Sequence, residues 1–151
     1  MISASQREQL LQAHRCNDYA PLWAMIPYAG LIGIQCSREA EDLLFRLPAN
    51  PDNIGNPLLP ALHGGVVAGF MELAALSYLL VLTEAAQVPK IIDFSIDYLR
   101  AGLARDTWAR CRLWRQGRRV ANVAITAWQQ NEAEPIATAR AHFKIEELDR
   151  T

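Results

Sequence analysis

A chain of 151 residues, 51% apolar and 21% charged, can bury one sizeable core and is too apolar for a disordered or fibrous protein. A net charge of -1 gives no electrostatic reason to expect nucleic acid as a partner. The polar start MISASQREQLLQAHRCNDYA lacks the apolar core of an export signal, so a cytoplasmic location is expected, and Cys16, Cys36 and Cys111, without a C-x-x-C pair, read as reduced, packed thiols.

In chain order, residues 4 to 14 and 19 to 27 are short amphipathic segments, broken at Pro21, that predict surface helices within an N-terminal segment 1–30. LIGIQCSREAEDLLFRLP then predicts two extended segments around a polar turn from Ser37 to Glu41. ANPDNIGNPLLP, with its three prolines, predicts a loop. From about Gly64 to Ala86 runs the longest helical signal, rich in Ala, Leu and Met and ended by Pro89.

The remainder predicts strands. IIDFSIDYL alternates Phe94, Ile96 and Tyr98 with Asp93, Ser95 and Asp97, as a strand with one buried face does. TWARCRLWR and RVANVAITAW are joined at QG, a plausible hairpin, NEAEP is the next turn, and IATARAHFKI closes the order with Ala137, Ala139, Ala141 and Phe143 on one side. No linker or repeat divides the chain, so 1–151 is expected to be one domain. A helix apolar nearly all round must be buried nearly all round, and a single curved antiparallel sheet wrapped about it achieves this. A membrane span is disfavoured, because the apolar run 66–82 is short and has a carboxylate near its middle.

That carboxylate is Glu72. Burying it requires a partner, water in a cleft, or a held proton. It is either a satisfied core glutamate or part of a site. Upstream, LHGG opens the helix, so N–H groups at Gly64 and Gly65 meet the positive end of the helix dipole, where a carbonyl oxygen would be polarised. Gly65, Gly69, Glu72 and Leu76 share a helix face. Gly65 and Glu72 are nevertheless roughly 10 Å apart along the axis, too far to act on one carbonyl group. A twofold dimer with the two helices antiparallel would bring the glycine of one chain to the glutamate of the other.

Between Tyr98 and Arg119 lie seven arginines, at 100, 105, 110, 112, 115, 118 and 119, against Asp106 alone. They read either as a solvated strand face or as a landing site for a phosphorylated ligand.

LHGGVVAGFMELAA, DFSIDYLRAG, GRRVANVAITAW and the alanine-rich last strand resemble the PaaI-like branch of the hotdog-fold acyl-CoA thioesterases, related to hydroxybenzoyl-CoA thioesterases. The similarity runs from about Leu31 to Ile145. It implies an α+β hotdog fold, a long central helix wrapped by a curved five- to six-stranded antiparallel sheet, in homodimers that often pair into tetramers. It also implies hydrolysis of an acyl-CoA without a metal or redox cofactor, CoA being part of the substrate. By position, Glu72 matches the family's catalytic acid, Gly65 the backbone donor to the thioester carbonyl, and His63 the histidine that orders the loop. The family's Asn or Gln six residues before that histidine falls on Pro57, so Asn56 takes the role with a one-residue shift. Gly64, Ser77, Tyr98, Arg100, Arg118 and Arg119 are candidates for substrate and CoA contacts, with Ser77 either positioning water or serving as an ordinary helix serine. Glu72 would activate water or attack the carbonyl itself. A hotdog hydratase using His63 with Glu72, and a non-catalytic acyl-CoA-binding dimer, are the rival readings.

Overall fold

In chain order the elements are α1 (Ala4–Cys16), α2 (Ala20–Ala24), α3 (Pro27–Ile32), β1 (Gln35–Glu39), β2 (Asp42–Leu47), β3 (Ile54–Asn56), β4 (Ala61–Leu62), α4 (Gly64–Thr83), β5 (Lys90–Tyr98), β6 (Thr107–Gln116), β7 (Val120–Trp128) and β8 (Ala137–Lys144). The structure, a computed structural model, describes residues 3–16, 18–83 and 87–145, the side chain of His14 excepted.

Six strands form one antiparallel sheet in the order β1-β2-β6-β7-β8-β5. Alternation decides which face meets the helix. Ala121, Val123, Ile125 and Ala127 of β7 and Ala137, Ala139, Ala141 and Phe143 of β8 are buried, and they pack with Val67, Phe70, Met71, Ala74, Ala75 and Leu79 of α4 in one core. Small residues on the sheet let the large helix residues sink in, and each large apolar side chain buried contributes about 1.5–3 kcal/mol. This is the hotdog arrangement, with the sheet at six strands. By length and composition α4 could cross a membrane, but here it is the core helix of the domain.

The other face of α4 is covered in part. Leu80 joins Leu10, Ala13 and Leu22 in a second cluster, with Leu76 packed against it, so α1 and α2 lie over the C-terminal half of the helix. β5 is an edge of the sheet. Ile92 is 58% exposed there, and one side of the strand has no partner strand among the described residues.

Several local expectations change. Pro21 stands in the first turn of α2 rather than breaking a helix, because that turn needs no N–H from it. Leu31 and Ile32 end α3, and the left-handed Gly33 (φ 72°) turns the chain into β1. Ser37 and Arg38 belong to β1, and the turn sits at Ala40 and Glu41. The expected loop at 49–60 holds a 3-10 turn (Pro51–Asn53) and the β3 strand of a two-stranded ribbon with β4. The predicted end of α4 at 84–86 lies outside the described residues. Cys16 is exposed rather than packed, whereas Cys111 is buried.

Candidate active site

The ribbon presents His63 at the start of α4. The His63 N–H donates to the Asn53 carbonyl at 2.9 Å and the Leu62 N–H to the Gly102 carbonyl at 2.7 Å, which ties the ribbon down on both sides. Gly55 lies so close that a Cβ there would be 2.7 Å from His63 Cα. His63 then caps the helix. Its carbonyl accepts from Val66 at 2.9 Å, and its Nδ1 accepts the Gly65 N–H at 3.0 Å.

The expectation of two free N–H groups is therefore corrected. The Gly65 N–H is committed to the His63 ring, because a cap one residue before the helix reaches the second helical N–H. The Gly64 N–H has no acceptor among the described residues and remains a donor at the positive end of the dipole. The Tyr98 hydroxyl donates to the Gly64 carbonyl at 2.7 Å, joining the end of β5 to the helix. Beside this junction is a cavity of about 430 Å³, lined by Leu62, Gly64, Val67, Tyr98, Arg100 and Ile136 among others.

Glu72 is half-buried, and burial pushes its carboxyl above the ordinary value of 4.5. It has no hydrogen-bond or ion-pair partner among the described residues, which leaves the core-glutamate reading without the partner it needs. Gly64 lies eight residues earlier, about 12 Å along the axis, so within one chain the free donor and the carboxylate stand apart.

Other expected site residues scatter. Ser77 is buried and its hydroxyl donates to the Leu73 carbonyl at 2.6 Å, the ordinary helix-serine role rather than a water-positioning one. Asn56 uses its Oδ1 to accept from Leu58 at 3.1 Å and Leu59 at 3.4 Å, so its oxygen shapes the ribbon turn. Arg100 borders the cavity and donates to the Pro135 carbonyl at 2.9 Å. Arg118 and Arg119 are at the opposite end of the sheet, in the β6–β7 turn, where the Ile145 N–H donates to the Arg119 carbonyl. The strand from Lys90, opposite Lys144, to Tyr98, opposite Ala137, separates the two ends by about 25 Å. In one chain these arginines do not form one patch.

Arg110 is engaged by Asp42, Glu39 and Glu132 at 2.9, 3.3 and 3.2 Å. His142 bonds Asp93 and Asn122 on the sheet face opposite to Ala141 and Phe143, away from α4. Two residues near the site escaped the sequence reading. The buried Asn53 has an Nδ2 without a partner among the described residues, and Tyr28 packs on Gly69 of α4. A glycine inside a strongly helical run was the available signal for the second.

Residues 59–136, just over half the chain, match the Thioesterase superfamily. A solved protein from Chromobacterium violaceum is 39% identical over 94% of this chain and 99% of its own, with a TM-score of 0.77. A Bacillus halodurans protein solved with CoA is 24% identical over 95% of this chain and 91% of its own (TM-score 0.70). Thioesterase HI1161 from Haemophilus influenzae is 22% identical over 82% and 85% (TM-score 0.68). No curated protein matches the sequence. The family match over the helix and its flanking strands, just over half of the chain, leads to one conclusion: the chain belongs to the thioesterase superfamily.

Proposed function

We propose that the protein is an acyl-CoA thioesterase whose site is completed by a second copy of the chain. The observation that carries this reading is Glu72, a half-buried carboxylate without a partner among the described residues, on the central helix of a thioesterase-superfamily domain. Its counterpart is the unbonded Gly64 N–H at the helix start. In a twofold dimer with α4 antiparallel to its mate, Glu72 of one chain faces Gly64 of the other. Pairing of the exposed β5 edges in the same sense would bring the partner's Arg118 and the partner's Arg119 towards Arg100, restoring one phosphate-binding patch. CoA as the carrier is supported by the Bacillus halodurans relative solved with CoA.

Glu72 takes a proton from water as the water oxygen attacks the thioester carbon. The developing oxyanion receives the Gly64 N–H, and the C–S bond then breaks. The CoA thiolate leaves and takes from Glu72 the proton that came from water, giving free acid and CoA. Single-turnover hydrolysis in isotopically labelled water distinguishes this from carboxylate attack, in which the label is left in Glu72 only after an anhydride has formed.

Subunit mixing tests the proposal. Gly64→Pro removes the free N–H at a helix position that tolerates proline, and Glu72→Gln removes the base. Each variant alone should be nearly inactive, whereas a re-equilibrated equal mixture should regain about a quarter of wild-type activity, since half the dimers carry one intact site. No recovery in verified heterodimers would sink the two-chain site, and a wild-type protein that releases no thiol from any acyl-CoA would sink the activity.

A further inference from the structure

The face of α4 beside Glu72 is not bare. Tyr28, from α3, lays the hydroxyl end of its ring on Gly69, where an added Cβ would come within 2.6 Å of Tyr28 Cε1, 2.9 Å of its hydroxyl oxygen and 3.1 Å of Cζ. Any larger residue would displace this end of the ring, so a glycine that weakens the helix is what admits the phenol. Gly69 precedes Glu72 by three residues, on the adjacent turn of the same face. The phenol end thus lies against the helix one turn before the residue that bears the carboxylate. Tyr28 stays 39% exposed, and its hydroxyl makes no hydrogen bond among the described residues. A tyrosine serving the core would be covered and its hydroxyl paired.

On the far side of Glu72 the helix passes under the N-terminal layer, with Leu76 and Leu80 against Leu10, Ala13 and Leu22. The open face around the carboxylate therefore runs only from Gly69 to Leu76, about 10 Å by helical rise. Tyr28 closes one end of it and the helices α1 and α2 close the other.

We propose that Tyr28 is a specificity-determining residue, forming the wall against which the acyl group packs beside Glu72 and restricting that group to a short chain or a single ring. This rests on the thioesterase reading above. The segment before the sheet then has a role in substrate choice, because α3 carries the wall and α1 and α2 carry the stop.

The test uses the full chain and a series of CoA esters from acetyl to lauroyl, with benzoyl and phenylacetyl esters added. Wild type, Tyr28→Ala, Tyr28→Phe and Gly69→Ala are compared after circular dichroism and melting confirm folding. Wild type is expected to prefer the short and single-ring esters. Tyr28→Ala should move the kcat/KM ratio of long to short esters upward by about tenfold or more. Tyr28→Phe should keep the wild-type cut-off, since the wall is a matter of shape. Gly69→Ala, whose methyl group pushes the flexible phenol end aside, should shift the profile in the same direction as Tyr28→Ala. A wild type that prefers long chains, or folded Tyr28→Ala and Gly69→Ala variants with the wild-type cut-off, overturns the Tyr28 assignment and leaves the activity standing. A wild type inert towards every ester removes the activity and the assignment together.

Discussion

The His63 ring accepts the N–H of Gly65 through Nδ1 at 3.0 Å, and this one bond divides the work of the two glycines at the start of α4. With Gly65 held by the cap, Gly64 keeps the donor that can meet a substrate oxygen. It also gives His63 a role that any good N-cap side chain can share.

The first prediction follows from that role. His63→Asn should keep the cap and most of kcat, whereas His63→Ala should lose about 1 kcal/mol of stability and a larger part of the activity through a loosened glycine turn. Thermal melts and kcat on both variants decide it. Near-complete loss of kcat in a folded His63→Asn protein would instead mark the histidine as a proton-transfer group.

Glu72→Gln should abolish turnover, by about 10²-fold or more in kcat, and at the same time stabilise the fold at neutral and higher pH. The sign follows from burial. A carboxyl whose pKa is raised in the folded state favours folding fully below its unfolded value, and that contribution is lost as pH rises through the raised folded value. The Tm difference between variant and wild type should therefore be small at pH 4 and open in favour of the variant by pH 8. Activity runs the other way, because the base must be ionised. The acid limb of kcat/KM should lie above 4.5, the ordinary value. A limb at or below that value would contradict Glu72 as the titrating base.

Gly55→Ala should disturb the site from behind, through the backbone of His63. The new methyl group would lie 2.7 Å from His63 Cα and 2.9 Å from its Cβ, and backbone cannot swing aside as the end of a side chain can. A loss of about 1–3 kcal/mol is expected, together with lower kcat. Denaturant melts that match wild type would show that the ribbon adapts.

Arg100→Ala should raise KM for acyl-CoA by about tenfold with kcat little changed, the pattern of a lost charge-assisted contact made equally in ground and transition states. The Arg118→Ala, Arg119→Ala double variant should do the same only if a second chain brings that end of the sheet to the cavity. A large KM effect from Arg100 and none from the pair would limit the CoA contacts to the Tyr98 end.

Much of the fold was legible because it rests on periodicity. The period-two alternation of β8 put Ala137, Ala139, Ala141 and Phe143 on the buried side, and an all-round apolar α4 required a sheet around it. The family was legible, and Glu72 stood out as its candidate acid, from H-G-G and an acid nine residues after the histidine, a local pattern on one helix. What lay beyond the sequence was every relation that depends on how far apart residues end up in space. Seven arginines that read as one cluster are strung out along β6 from one end of the sheet to the other, because a strand carries a charge about 3.3 Å further with every residue. The choice between Gly64 and Gly65 turned on the position of one imidazole nitrogen, and the seat of Tyr28 on Gly69 joins helices 41 positions apart. Local pattern determines which face of an element is apolar, but only the packed chain decides which neighbour covers that face and which polar group is left without one.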